Sequence, residues 1–221
     1  MQKWLLTIII AILPVITACS KTDTEVSVPE EETGKKLYMV DSRSASIGTA
    51  LLIREAVKLR DAGVNVSDIA AACTEMSKYI KLTAVVGSLK YLKMGGRLSG
   101  AAAFAGTMLH ITPVVSIEDG KVVVIGKTRG KKAAEKLMHD KLIKDGLSLT
   151  RDFMFGHINC SESLETFINK SLTYISDVNG NVGVSSIGCS VGTHVGPGTY
   201  GIAYVEAAES GMNRESIVKT A

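Results

Sequence analysis

Aromatic side chains are scarce in this chain, 5% of 221 residues with Trp4 the single tryptophan. That excludes a base-stacking platform for nucleic acid. An excess of one charge is also missing: 25 basic against 22 acidic residues leave +3. No basic face shows in the composition, so nucleic acid is not an expected partner. The four cysteines (Cys19, Cys73, Cys160 and Cys189) form no CxxC pair. This excludes a zinc ribbon or a thioredoxin-type motif, and four are too few for a disulfide scaffold. Cys73, Cys160 and Cys189 read as buried apolar thiols. No Walker spacing is present, so a P-loop nucleotide site has no support. No internal repeat is visible.

What is present is ordinary for a folded protein: 46% hydrophobic and 21% charged residues. The length suits one good-sized domain or two small ones. The first nineteen residues stand apart. Lys3 precedes an almost wholly apolar run from Trp4 to Ala18, shorter than the about 20 residues a membrane-spanning helix needs. It ends Ile16-Thr17-Ala18-Cys19, which resembles a bacterial lipobox. The expectation is a lipoprotein-like signal peptide over 1–19, lipidation at Cys19 and a membrane tether through it. Residues 20–35 carry Asp23, Glu25, Glu30, Glu31 and Glu32 with few apolar groups, and read as an acidic flexible linker.

From Lys36 onward, strand-like and helix-like segments alternate. Leu37–Val40 reads as a short strand. Helical spacing runs over Ile47–Arg60, with Gly63 just past its end. Ser67 reads as the N-cap of a helix to about Ile80. Lys81–Val86 is a strand and Ala101–Leu109 an apolar helix. Pro113–Ile117 and Val122–Ile125 flank Asp119-Gly120, a two-residue hairpin signal. Lys131–Lys144 is an amphipathic helix, Phe153–Ile158 a strand, and Ser161 the cap of a helix to about Ile175. Val182–Ile187 and Ile202–Val205 read as strands, with Gly192–Gly201 a loop between them. The fold class is α/β or α+β, with a sheet that is at least partly antiparallel.

Two glycine-rich stretches carry the candidate chemistry. In Met94-Gly95-Gly96-Arg97, paired glycines allow close backbone approach, and an arginine at the start of the expected 101–109 helix suits an anion. The same residues fit a helix C-cap followed by a surface arginine. In Gly192-Thr193-His194-Val195-Gly196-Pro197-Gly198, the His194 imidazole is free to meet an anion or to move a proton. No second His, Asp or Glu lies at metal-ligand spacing, so no metal is expected. An enzyme using His194 as base and Ser190 or Ser99 as nucleophile lacks any GxSxG elbow.

Taken in order, LKYLKMGGRLSG, the hairpin around EDGKV with KTRGKKAA after it, and THVGPGTYGIAY resemble the signature stretches of the DegV family of bacterial fatty-acid-binding proteins. VDSRSASIGTALLIREA is similar to that family's mid-chain strand and helix. The resemblance covers about residues 37–206. It implies a binding protein rather than an enzyme, with a long-chain fatty acid in a buried apolar tunnel and no other cofactor. It implies presentation of that acid to an ATP-dependent fatty acid kinase. On the matching positions, Arg97 and His194 hold the carboxylate and Arg129 contacts the kinase. Ala101–Leu109 could form a tunnel wall.

The resemblance also has gaps. The family's Thr-Ser-Gln-Pro-like and Leu-Ser-Gly-Thr-like stretches, whose threonine and serine bind the carboxylate, find no match here. A strand at 37–41 is expected to lack a paired neighbour and leave an open edge. The domain expectation is a remnant of the first α/β domain over 36–97 and a C-terminal lipid-binding domain over 98–221. The signal sequence implies a lipid-anchored protein at the cell membrane, the family a cytoplasmic one. The alternatives are a fragment that binds nothing and a tethered lipoprotein of different role.

Overall fold

The computed structural model describes residues 37–97, 111–148, 150–173 and 180–207. The expected leader, linker, Cys19, Ser99 and the 101–109 helix lie outside them. The elements are α1 (Ile47–Asp61), α2 (Val66–Ser77), β1 (Ile80–Val85), α3 (Leu89–Met94), β2 (Ile111–Glu118) and β3 (Lys121–Arg129). They continue with α4 (Lys131–Asp145), β4 (Phe153–His157), α5 (Ser161–Leu172), β5 (Val182–Ser186), α6 (Cys189–Val195) and β6 (Tyr200–Val205). The strands form one mixed sheet in the order β3-β2-β1-β6-β4-β5. Among the described strands, only β4 and β5 pair in parallel, joined by the α5 crossover. β1 pairs with β6 on one side and β2 on the other, so residues before and after position 98 share the sheet.

Alternation sorts the side chains by size. On β6, Tyr200, Ile202 and Tyr204 face α4 and α5, while Gly201 and Ala203 face the other way. Phe153 and Phe155 of β4 join the tyrosines, and Phe167 of α5 closes over them with ring centroids 5.9 Å from Phe155 and 5.7 Å from Tyr200. Much of the scarce aromatic content is thus concentrated in one core layer. Tyr200 Oη donates to Glu135 Oε1 at 2.9 Å, and Lys170 Nζ donates to Glu135 Oε2 at 2.6 Å. Burial, then the Glu135 carboxylate, pushes the Tyr200 phenol up. Burial holds the nearby His139 imidazole below its ordinary range.

On the opposite face α1 lies over β1, β6 and β4, with α2 packed outside it. A row of partners, Gly156, Gly201 and Ala84, crosses the sheet beneath this side. A Cβ at Gly156 would lie 2.7 Å from Ile47 Cγ2, so the missing side chain lets the start of α1 settle there. Charge fixes the helix laterally. Arg54 Nη2 and Lys58 Nζ lie 3.0 and 2.5 Å from the Asp152 carboxylate, and Glu55 pairs with buried Arg151. Burial alone would raise Asp152, but hydrogen bonds from Lys58, the Asn181 backbone and Arg54 outweigh it and hold the carboxyl below its usual range.

Several local expectations are corrected. Leu37–Val40 is not a strand, so no open edge forms there; Val40 instead buries itself in the α1–α2 cluster. The α2 cap is Asn65, whose side chain accepts from the Asp68 amide, and Ser67 donates to that cap at 2.6 Å. Cys160, not Ser161, precedes α5. Residues 192–195 of the expected Gly192–Gly201 loop belong instead to helix α6, Cys189–Val195. The hairpin turn matches its signal, with Asp119 and Gly120 both at positive φ (50° and 73°). Of the cysteines, Cys73 is buried, Cys160 half-buried and Cys189 exposed, so the expectation of three buried thiols fails at Cys189.

Candidate functional site

The glycine-rich stretches meet at one end of the sheet. β1 ends at Val85 and leads through Gly87 into α3, while α6 leads through Pro197 and Gly198 into β6. Arg97 sits in the closing turn of α3, where its amide donates to Leu92 O at 2.9 Å. The C-cap reading of this motif is therefore the structural one, with Gly96 at φ 65°. Yet Arg97 is half-buried rather than on the surface. Its Nη1 donates to Gly95 O at 3.0 Å, and its buried Nε has no hydrogen-bond partner. His194 sits in the last turn of α6, half-buried, with its Nδ1 buried and also unpartnered.

Two glycines set this contact. A Cβ on Gly95 would lie 2.2 Å from His194 Nδ1, so only a residue without a side chain allows the end of α3 to touch the imidazole. Gly196, at φ 76°, reciprocates against α3: a Cβ there would lie 2.2 Å from Tyr91 Cδ2. The two motifs read separately in the sequence are thus two halves of one interlock.

Arg97 and His194 border a partly open cavity of about 90 Å³. Its walls are apolar except for Ser46, Thr199 and these two residues. Leu82, Ala84 and Val86 of β1 and its exit, with Val115, Ile117 and Val122 of the β2–β3 hairpin, form the apolar part. Burying a donor without a partner is costly, generally about 1–3 kcal/mol. An arginine and a histidine lining one otherwise apolar cavity suit an anionic head group with an apolar tail.

The remaining candidates lie elsewhere. Arg129, the last residue of β3, is exposed on an edge strand at the same end of the sheet as α3 and α6. Ser190 is exposed at the start of α6, and His194 Nδ1 activates no hydroxyl. Among the described residues, no cluster of three His, Cys, Asp or Glu is placed to hold a metal ion. No described helix is long and apolar enough to cross a membrane. Sequence reasoning missed Thr199 and Ser46; Thr199 directly follows the HVGPG stretch, and only cavity geometry separates it from an ordinary strand residue.

The fold and site define an α/β protein with a partly open apolar cavity bordered by paired glycine-rich motifs. The chain belongs to the DegV family: residues 12–207 match the family described as "Uncharacterised protein, DegV family". A DegV domain-containing protein of Clostridium acetobutylicum is 33% identical over 186 residues, covering 80% of this chain and 61% of the relative. A fatty-acid-binding DegV family protein from Thermus thermophilus superposes with TM-score 0.68 at 26% identity, covering 79% of this chain and 63% of that one. The Streptococcus pneumoniae fatty acid kinase (Fak) B3 protein, loaded with linoleic acid, shares the fold at TM-score 0.71 and 21% identity, over 80% of this chain and 62% of that one. The chain spans about three-fifths of the length of the curated relatives it matches.

Proposed function

We propose that this chain binds a long-chain fatty acid as a carrier and not as an enzyme. The observation that carries this is that Arg97 and His194, each with a buried nitrogen lacking a hydrogen-bond partner, line the same apolar cavity. Both can donate to a carboxylate, and charge-assisted hydrogen bonds offset the cost of taking it out of water. Each buried methylene then adds about 0.8 kcal/mol, so affinity comes without any chemistry on the ligand. At about 90 Å³ the cavity is smaller than the roughly 300 Å³ at which ligand pockets begin. A long chain therefore enters with the walls parting, or runs out through the open side.

The same reading has the carrier present its carboxyl group to an ATP-dependent fatty acid kinase, with exposed Arg129 as a contact. The likeness to fatty-acid-binding relatives supports this reading. Lipidation at Cys19 would tether the chain to a membrane; globomycin-sensitive processing at that residue tests it.

Native mass spectrometry of the full chain, expressed in a bacterial cytosol, tests the binding itself. The expected result is an adduct in the fatty-acid mass range that is lost in Arg97→Ala. A folded chain with no adduct and no saturable palmitate binding would overturn the reading.

A further inference from the structure

Thr199 joins the two halves of the site. Its Oγ1 donates to Val195 O at 2.9 Å, at the end of α6 and next to His194. The same oxygen accepts from the Gly87 amide at 3.3 Å, in the turn that leads into α3 and on to Arg97. Its carbonyl accepts from the Ile158 amide at 2.8 Å and from Cys160 Sγ at 3.3 Å, which fixes it to the end of β4. Thr199 is 2% exposed and lines the cavity. Gly87 and Pro197 are in close contact besides: a Cβ on Gly87 would lie 2.1 Å from Pro197 O. One buried hydroxyl therefore bonds both to the end of α6, beside His194, and to the turn that enters α3, the helix that Arg97 closes.

We infer that Thr199 is a positioning residue for carboxylate selectivity: its hydroxyl sets the α6 and α3 segments so that His194 and Arg97 converge on one anion. The inference rests on the binding reading above. A hydroxyl acting this way affects ligands that carry a carboxylate and leaves those that lack one untouched. A hydroxyl serving only fold stability affects both alike.

The test compares palmitic acid with methyl palmitate on the full chain, by displacement of a fluorescent acyl probe. Wild type should prefer the acid. Thr199→Val keeps the shape and loses the hydroxyl. It should raise the palmitate Kd about tenfold, which is about 1.4 kcal/mol, and move the ester by less than about twofold. Thr199→Ser keeps the hydroxyl and should stay within about threefold of wild type for both. Equal weakening of acid and ester in Thr199→Val, or no weakening of either, overturns the inference. Should Thr199→Val not fold, loss of acid preference in Thr199→Ala decides the point in the same way, and retained preference there overturns it. A wild-type chain that binds neither compound, or both alike, sinks the carboxylate reading itself, a result separable from failure of the Thr199 variants alone.

Discussion

Gly95→Ala isolates the contact between the two motifs. The new Cβ would lie 2.2 Å from His194 Nδ1, against an ordinary non-bonded separation of about 3.5 Å, so the imidazole must retreat by roughly 1.3 Å. Such a shift moves the imidazole out of place for a hydrogen bond to a carboxylate. A hydrogen bond to a charged group is worth about 1.5–3 kcal/mol, so the palmitate Kd should rise roughly ten- to a hundredfold. Stability should change little, because the cost of displacing the imidazole offsets the backbone gain. Gly95 has φ −79° and ψ 0°, which alanine adopts, and Gly→Ala at a compatible site gains about 0.4–1 kcal/mol by restricting the unfolded chain. Palmitate displacement titration and urea unfolding on the same sample read both effects, with His194→Ala as the reference for losing the imidazole. If Gly95→Ala binds palmitate like wild type while His194→Ala does not, the imagined displacement is harmless and the reasoning fails. It fails equally if Gly95→Ala loses more than about 2 kcal/mol of stability, since the contact would then hold the fold.

Other predictions concern the frame and the surface. Asp152→Asn should cost about 2 kcal/mol at pH 7, because Arg54 and Lys58 lose their shared carboxylate. The folded-state value is lowered, so this contribution is complete above the unfolded carboxylate range of about 4 and is lost as pH falls through the folded value. Urea midpoints of wild type and variant should converge below about pH 4, and a gap that stays constant down to pH 2 would contradict this. Phe167→Ala, in the centre of the aromatic layer, should cost about 3–5 kcal/mol in urea unfolding. Arg129→Ala should leave palmitate affinity unchanged and lower acyl phosphate formation with a fatty acid kinase; equal loss of both refutes the separation. Burial, with Glu55 nearby, pushes the Cys73 thiol up to about 11. In peptide-mapped alkylation at pH 8, exposed Cys189 should therefore label first and Cys73 only on unfolding.

The long periodic segments were legible in the sequence because their signals are local. Apolar spacing places α1 and α4, and Asp119-Gly120 meets the positive-φ demand of a two-residue turn. Local signals misled where distant packing decided. Leu37–Val40 has the composition of a strand, but Val40 contributes its apolar surface to α1 and α2 instead. The glycines and proline of 192–201 read as a loop, yet α6 forms and packs against α3. Cap positions slipped by one or two residues, since serine beside asparagine or cysteine leaves the choice to backbone geometry.

By itself the sequence determined the alternation of strands and helices, the hairpin, and the identity of Arg97 and His194 as candidates. Those follow from short-range periodicity and from residue types that few other roles require. Only the tertiary structure decided that the two residues line one cavity. That arrangement depends on Gly95 and Gly196 admitting a side chain from the facing helix, and on Thr199 bonding to both segments. It depends too on Ala84 and Gly201 leaving the sheet low beneath them. Close approach between segments remote in the chain is a property of packing, and no local pattern encodes it.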